Sequence, residues 1–82
     1  MDEKQIKRKL EDDGLRVADL AKHLASDFGV KETSADNMLR ELIAGRRWYP
    51  VYAKWLQQNY FITVNKPAWL LPVRERLMKK AA

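Results

Sequence analysis

Between Val17 and Pro50 the chain reads as two amphipathic helices, each stopped by a glycine and separated by only a few residues. In the first, Val17, Leu20, Ala21, Leu24, Ala25 and Phe28 recur at spacings of three and four, a continuous apolar stripe that Gly29 ends. Asp19 falls in its first turn, where the helix dipole favours a negative charge. The second begins near Thr33, where Thr33-x-x-Asp36 fits a capping box, and Gly45 closes it. Its apolar stripe is Ala35, Met38, Leu39, Leu42 and Ile43, and its opposite face is Asp36, Asn37, Arg40, Glu41 and Ala44. So short a hinge requires the two helices to pack stripe against stripe. Ala25 supplies a small side chain where their backbones meet, and Met38, Leu39 and Leu42 lock the second helix onto the first.

The remainder of the chain adds helices around this pair. Asp2 to about Asp13 forms a first helix, with Ile6 and Leu10 one turn apart and Gly14 as its stop. Pro50 suits the first position of a fourth helix carrying Tyr52, Trp55, Leu56 and Tyr60. Phe61-Ile62-Thr63-Val64 is β-branched and aromatic, hence either a short strand or an extended connector. As a lone strand it would need a partner, for instance from a second subunit. Pro67 and Pro72 bracket Ala68-Trp69-Leu70-Leu71, and Val73 to Lys80 reads as a last short helix. The expectation is an all-α domain over residues 1–82 with four to five short helices. Its core spans about residues 3–60, and residues 61–82 form an extension suited to a dimer contact.

Composition narrows the chemistry. The 82 residues include three tryptophans and no cysteine, so disulfides and thiolate metal sites are ruled out. His23 is the only histidine, which leaves neither a metal cluster nor a catalytic triad, and no glycine-rich phosphate loop is present. The acid pair Asp12-Asp13 lies near a helix end with no pocket implied around it. Neither an enzyme nor a cofactor or small-molecule substrate is expected. The N-terminus is charged and lacks the apolar segment of a signal peptide, and no apolar run approaches the roughly 18 residues that cross a bilayer. A cytoplasmic protein without membrane contact is expected.

Charge is unevenly placed. Residues 1–41 hold eight Lys/Arg and ten Asp/Glu, whereas residues 42–82 hold eight Lys/Arg and the single acid Glu75. An end this basic attracts polyanions, although a solvated basic tail would give the same count.

Two short helices hinged this way form a helix-turn-helix, whose second helix can enter a DNA major groove. Leu24-Ala25-x-x-Phe28-Gly29-Val30, then Ile43-Ala44-Gly45-Arg46-Arg47 followed by Pro50, resemble the lambda-repressor-like Cro/CI family of bacterial and phage regulators. The first segment matches that family's LAxxLGV pattern with phenylalanine for leucine. The resemblance covers Val17 to Pro50. One departure stands out: Gly29 and Gly45 are 16 residues apart, roughly one helical turn more than is usual there. Either the second helix is longer or the turn at Val30-Lys31-Glu32 is enlarged. The resemblance implies a sequence-specific, duplex-DNA-binding transcriptional regulator of phage or prophage type, acting as a homodimer.

Asn37 and Arg40, three residues apart, fit base reading, since asparagine pairs bidentately with adenine and arginine with guanine. Ser34 joins them. Lys31 and Thr33 at the helix start suit phosphates, as do Arg46 and Arg47 in the following loop and Tyr49 and Lys54 beyond it. Thr33 as a pure N-cap, and Arg46 and Arg47 as partners of the helix dipole, are the structural alternatives. Glu32, Asp36 and Glu41 oppose the DNA reading unless at least two face away. Acids interleaved with Arg40, Arg46, Arg47 and Lys54 would favour a protein-interaction module built on the same scaffold. Trp48, Trp55, Trp69, Tyr52 and Tyr60 could stack on single-stranded bases, but core packing accounts for them more simply.

Overall fold

The computed structural model describes residues 1–70 and holds four helices: α1 (Glu3–Asp12), α2 (Val17–Phe28), α3 (Glu32–Ile43) and α4 (Pro50–Tyr60). A single 3-10 turn, Ala68–Leu70, follows. Among the described residues there is no β-strand, and no helix is long and apolar enough to cross a membrane. Leu71, Pro72 and the expected helix Val73 to Lys80 lie outside the described residues.

Each helix begins and ends for an identifiable reason. At α1, the Asp2 carboxylate accepts from the Gln5 amide at 2.8 Å, and the Gln5 side chain accepts from the Asp2 amide at 2.9 Å. This reciprocal capping box satisfies two amides that the helix cannot. At α2, Asp19 reaches back to the Arg16 amide at 2.9 Å. That backbone hydrogen bond is the main reason the Asp19 carboxyl titrates below its ordinary value of 3.8. Gly29 ends α2 at φ +66°, a left-handed conformation that a Cβ would strain, and Gly29 and Val30 both donate to the Ala25 carbonyl.

The start of α3 corrects the sequence reading. Lys31 is the N-cap, without a side-chain cap bond, so Thr33 lies inside the first turn and forms no box with Asp36. Asp36 instead accepts from Arg40 one turn ahead, at 2.8 Å, a charge-assisted bond that a threonine cap does not offer it. Only three residues, Gly29 to Lys31, separate α2 from α3, so the added length lies in the second helix, which has 12 residues.

Packing follows the stripes. Leu20, Ala21, Leu24 and Ala25 of α2 and Ala35, Leu39, Leu42 and Ile43 of α3 are buried, joined by Ile6 and Leu10 of α1 and Trp55 and Leu56 of α4. Each fully buried leucine or isoleucine contributes ~1.5–3 kcal/mol relative to exposure. Met38 is half-buried at the margin of this face, and Phe28, expected within the α2 stripe, is 39 % exposed and rests edge-on against Tyr52 at 5.1 Å.

The segment after α4 is an extended connector. Phe61 ends α4 in a left-handed conformation, φ +57°, and the Ile62 amide donates back to the Leu56 carbonyl at 3.3 Å. This reversal sends Ile62 and Val64 into the core while Phe61 and Thr63 point outward. The core therefore reaches past residue 60. The Met1 amino nitrogen fastens the connector, donating to the Thr63 carbonyl at 2.6 Å and the Asn65 side chain at 2.8 Å.

A polar network joins α2 to α4. Asp27 accepts from the Trp55 indole at 2.7 Å and lies 3.2 Å from His23 Nε2, while His23 Nδ1 and the Tyr60 hydroxyl are 2.6 Å apart. A carboxylate only accepts, so Nε2 carries the proton in the neutral ring and Nδ1 accepts from Tyr60. His23 is thus a bracing residue, a role for which a lone histidine in the sequence gives no sign.

Two outcomes follow. Ile62→Ala is expected to lower the unfolding free energy by about 2–5 kcal/mol in urea titration, the cost of a cavity in a packed core. A merely appended segment would lose far less. For Tyr60, burial first and then the nearby Asp27 and Asp19 charges raise the phenol above its ordinary 10.0. Its contribution is complete below pH 10.0 and is lost as pH rises through the raised value. Thermal melts across the alkaline range will show a steeper decline for the native chain than for Tyr60→Phe.

Candidate nucleic-acid interface

With Ala35, Leu39, Leu42 and Ile43 turned inward, the 3.6-residue period turns Thr33, Ser34, Asn37 and Arg40 outward, and all four are exposed. They form one polar ridge along α3. Residues Lys31, Arg46, Arg47 and Lys54 are exposed as well. Tyr49 differs from the other expected phosphate contacts: it is half-buried, packs against the core and sits 5.7 Å from Tyr52.

The ridge runs between two grooves. On the α2 side an open groove of about 410 Å³ is floored by Ala18 and Ala21, with Lys22 at its edge and Thr33, Asp36, Asn37 and Arg40 along its α3 wall. Sequence reasoning passed over Ala18 and Lys22. Their signal was their i,i+4 spacing on α2, which places both on one face. On the α4 side, Phe28, Met38, Tyr49, Pro50, Val51 and Tyr52 line a more apolar groove of about 430 Å³.

At the amino end of α3, no side chain caps the first-turn amides. Those N–H groups, together with the dipole, favour an anion. At the other end Gly45, φ +77°, turns the chain so that the Arg46 and Arg47 amides both donate to the Glu41 carbonyl, at 3.0 and 3.3 Å. The Trp69 indole donates to the Gly45 carbonyl at 3.2 Å, so the distal arm rests on the loop that carries both arginines.

The acids do interleave with the bases. Arg40 Nε lies 2.8 Å from Asp36 Oδ2, and Arg46 Nε lies 3.4 Å from Glu41 Oε2. Asp36 and Glu41 are half-buried, whereas Glu32 is exposed beside the α2 groove. Among the described residues, Lys22, Lys31, Arg47 and Lys54 have no carboxylate within ion-pair distance. Arg40 on the ridge and Arg46 in the loop beyond it are thus each paired with an acid, whereas these four cations are not. Of the aromatic residues, Trp55 is buried, Trp48, Tyr52 and Tyr60 are half-buried against the core, and Trp69 is 52 % exposed. Of these five, only Trp69 is exposed.

The chain matches no protein-family model, no curated protein and no solved structure. What the interface can do rests on its own chemistry.

Both arginine pairs are solvent-exposed on the arginine side, 58 % for Arg40 and 65 % for Arg46. Exposed pairs contribute little. A double-mutant cycle on Glu41 and Arg46, read by chemical denaturation, is expected to give a coupling energy below about 1 kcal/mol. A larger value would mean that Arg46 is committed to the fold and withheld from any polyanion.

Proposed function

We propose that this protein is a sequence-specific duplex-DNA-binding regulator of transcription, of the phage or prophage Cro/CI type, working in the cytoplasm. The observation that carries the reading is the α3 ridge: Ser34, Asn37 and Arg40 exposed in one line on a helix whose other face is sealed against α2. A ridge one helix wide fits a major groove about 12 Å across. Asn37 and Arg40 would read base edges, with Ser34 beside them. Lys31 and Thr33 at the amino end, and Arg46, Arg47 and Lys54 at the other, would hold phosphates and set the register.

The paired acids do not overturn this reading. Phosphate competes well for the exposed Arg46, and the four uncompensated cations supply counterion release on their own. Homodimeric binding to half-sites about 34 Å apart fits the class. With Ile62 and Val64 inside the core, the contact would fall to Phe61, which is 78 % exposed, together with Trp69 and Leu70. Phe61 accepts a left-handed backbone while showing its ring to solvent, a strain of the kind retained at functional positions.

A second reading, a protein-interaction module, draws on the interleaved acids and on the apolar groove beside Met38 and Val51. Selection from a pool of random duplexes across a salt series separates the two. A regulator will enrich one motif and lose affinity steeply with salt. Asn37→Ala will relax one base position, costing about 1–3 kcal/mol there, while Arg47→Ala will weaken all sequences alike and flatten the salt slope by about one. No enriched motif at low salt would reject the DNA reading. A protein of monomeric mass with and without the selected duplex would reject the dimer.

A further inference from the structure

Arg40 is held in an unusual way for a surface arginine. Only its Nε is engaged, by Asp36 Oδ2 at 2.8 Å, and the carboxylate belongs to the same helix one turn earlier. The other Asp36 oxygen, Oδ1, is buried without a hydrogen-bond partner. It sits where α3 walls the groove floored by Ala18 and Ala21. Larger side chains at those two positions would fill the space into which Asp36 settles. The chain thus keeps a half-satisfied carboxylate, against the usual rule for buried oxygens, in a place whose one product is a fixed guanidinium.

From this geometry we infer that Asp36 is a positioning residue that aims Arg40 at a guanine in the major groove. The inference rests on the DNA reading above. A guanidinium has five N–H donors and no acceptor. With Nε–H given to Asp36, the edge made by the two terminal nitrogens stays free and presents parallel donors. Guanine offers two adjacent acceptors there, O6 and N7, whereas adenine sets a donor beside its N7 and cytosine offers a donor alone. A freely rotating arginine would find any phosphate, but one clamped at Nε meets base edges in a fixed plane. The partly buried setting of Asp36 keeps its own charge back from the duplex, and Oδ1 has no path to a base.

This role predicts opposite signs for affinity and specificity. Asp36→Asn removes a negative charge while keeping the shape. If Asp36 only repels DNA, the variant binds every duplex more tightly and keeps its preferred motif. If it aims Arg40, the preference for guanine at one position falls about tenfold, while affinity for unrelated duplex holds or rises. Asp36→Glu, which keeps a carboxylate, is expected to restore part of that preference. Arg40→Lys keeps the charge but loses the fork, and is expected to lose the same guanine. The double variant Asp36→Asn/Arg40→Lys is expected to lose no more than either alone.

The probe is a random duplex pool selected on each full-length variant, with circular dichroism melts to verify that the helices persist. A native motif with no guanine that depends on Arg40, or a guanine preference that survives Asp36→Asn, overturns this inference and leaves DNA binding intact. Failure of the native chain to select any motif overturns both. A melt showing that Asp36→Asn unfolds the chain passes the decision to Arg40→Lys and Asp36→Glu. Those two must then differ, with guanine lost in the first and kept in the second.

Discussion

Everything on the surface of this domain is set by the seam between α2 and α3. Leu20, Leu24, Leu39 and Leu42 are completely buried, and the alanines at 21, 25 and 35 let the two backbones approach. Non-directional burial would allow α3 to roll about its axis. Close packing of leucines against alanines does not, because a small rotation opens voids that no side chain fills. Once the seam is made, the residues left outside are determined by the helical period. Thr33, Ser34, Asn37 and Arg40 face solvent because Ala35, Leu39, Leu42 and Ile43 take the opposite face into the core.

The flanking elements hold this arrangement from behind. The Asp27 carboxylate gathers Trp55 and His23, and Tyr60 completes the link between α2 and α4. A buried-edge polar network of this kind specifies geometry more than it adds stability, since each polar group must be met at a fixed distance. The connector after α4 closes the opposite side with Ile62 and Val64. A domain this small has little surplus core, so a segment that looks like an appendage becomes structural.

The architecture was legible in the sequence for a plain reason: periodic apolar residues and glycine stops speak directly to helices. Residues Val17 and Phe28 bound α2 as the stripe indicates, and Pro50 opens α4. Less legible were features depending on which of several equivalent partners a polar group selects. Thr33 and Asp36 have the spacing of a capping box, as do Asp2 and Gln5, yet only the second pair forms one. Asp36 has a better partner in Arg40, and helix entry falls one residue earlier. The connector was similarly ambiguous. Alternating Phe61, Ile62, Thr63 and Val64 suit a strand, but the left-handed turn at Phe61 brings Ile62 and Val64 under the helices, and among the described residues there is no second strand to pair with. The compensated arginines were invisible as well. Their i,i+4 and i,i+5 spacings to acids are written in the sequence, but only coordinates show that Arg46 folds back across Gly45 to reach Glu41.

The bond from the Trp69 indole to the Gly45 carbonyl has an optical consequence. The molecule carries a half-exposed indole resting on the loop that bears Arg46 and Arg47, and a second, Trp55, sealed beside Asp27. Fluorescence from the first senses whatever arrives at that loop, since its solvent shell is the one displaced. The second emits from an interior that an arriving molecule does not reach. Trp48, half-buried beside Arg47, adds a third source at the same edge, so Trp48→Phe leaves one lamp at that edge and one in the dark interior, and occupancy and unfolding are then told apart without attaching a label.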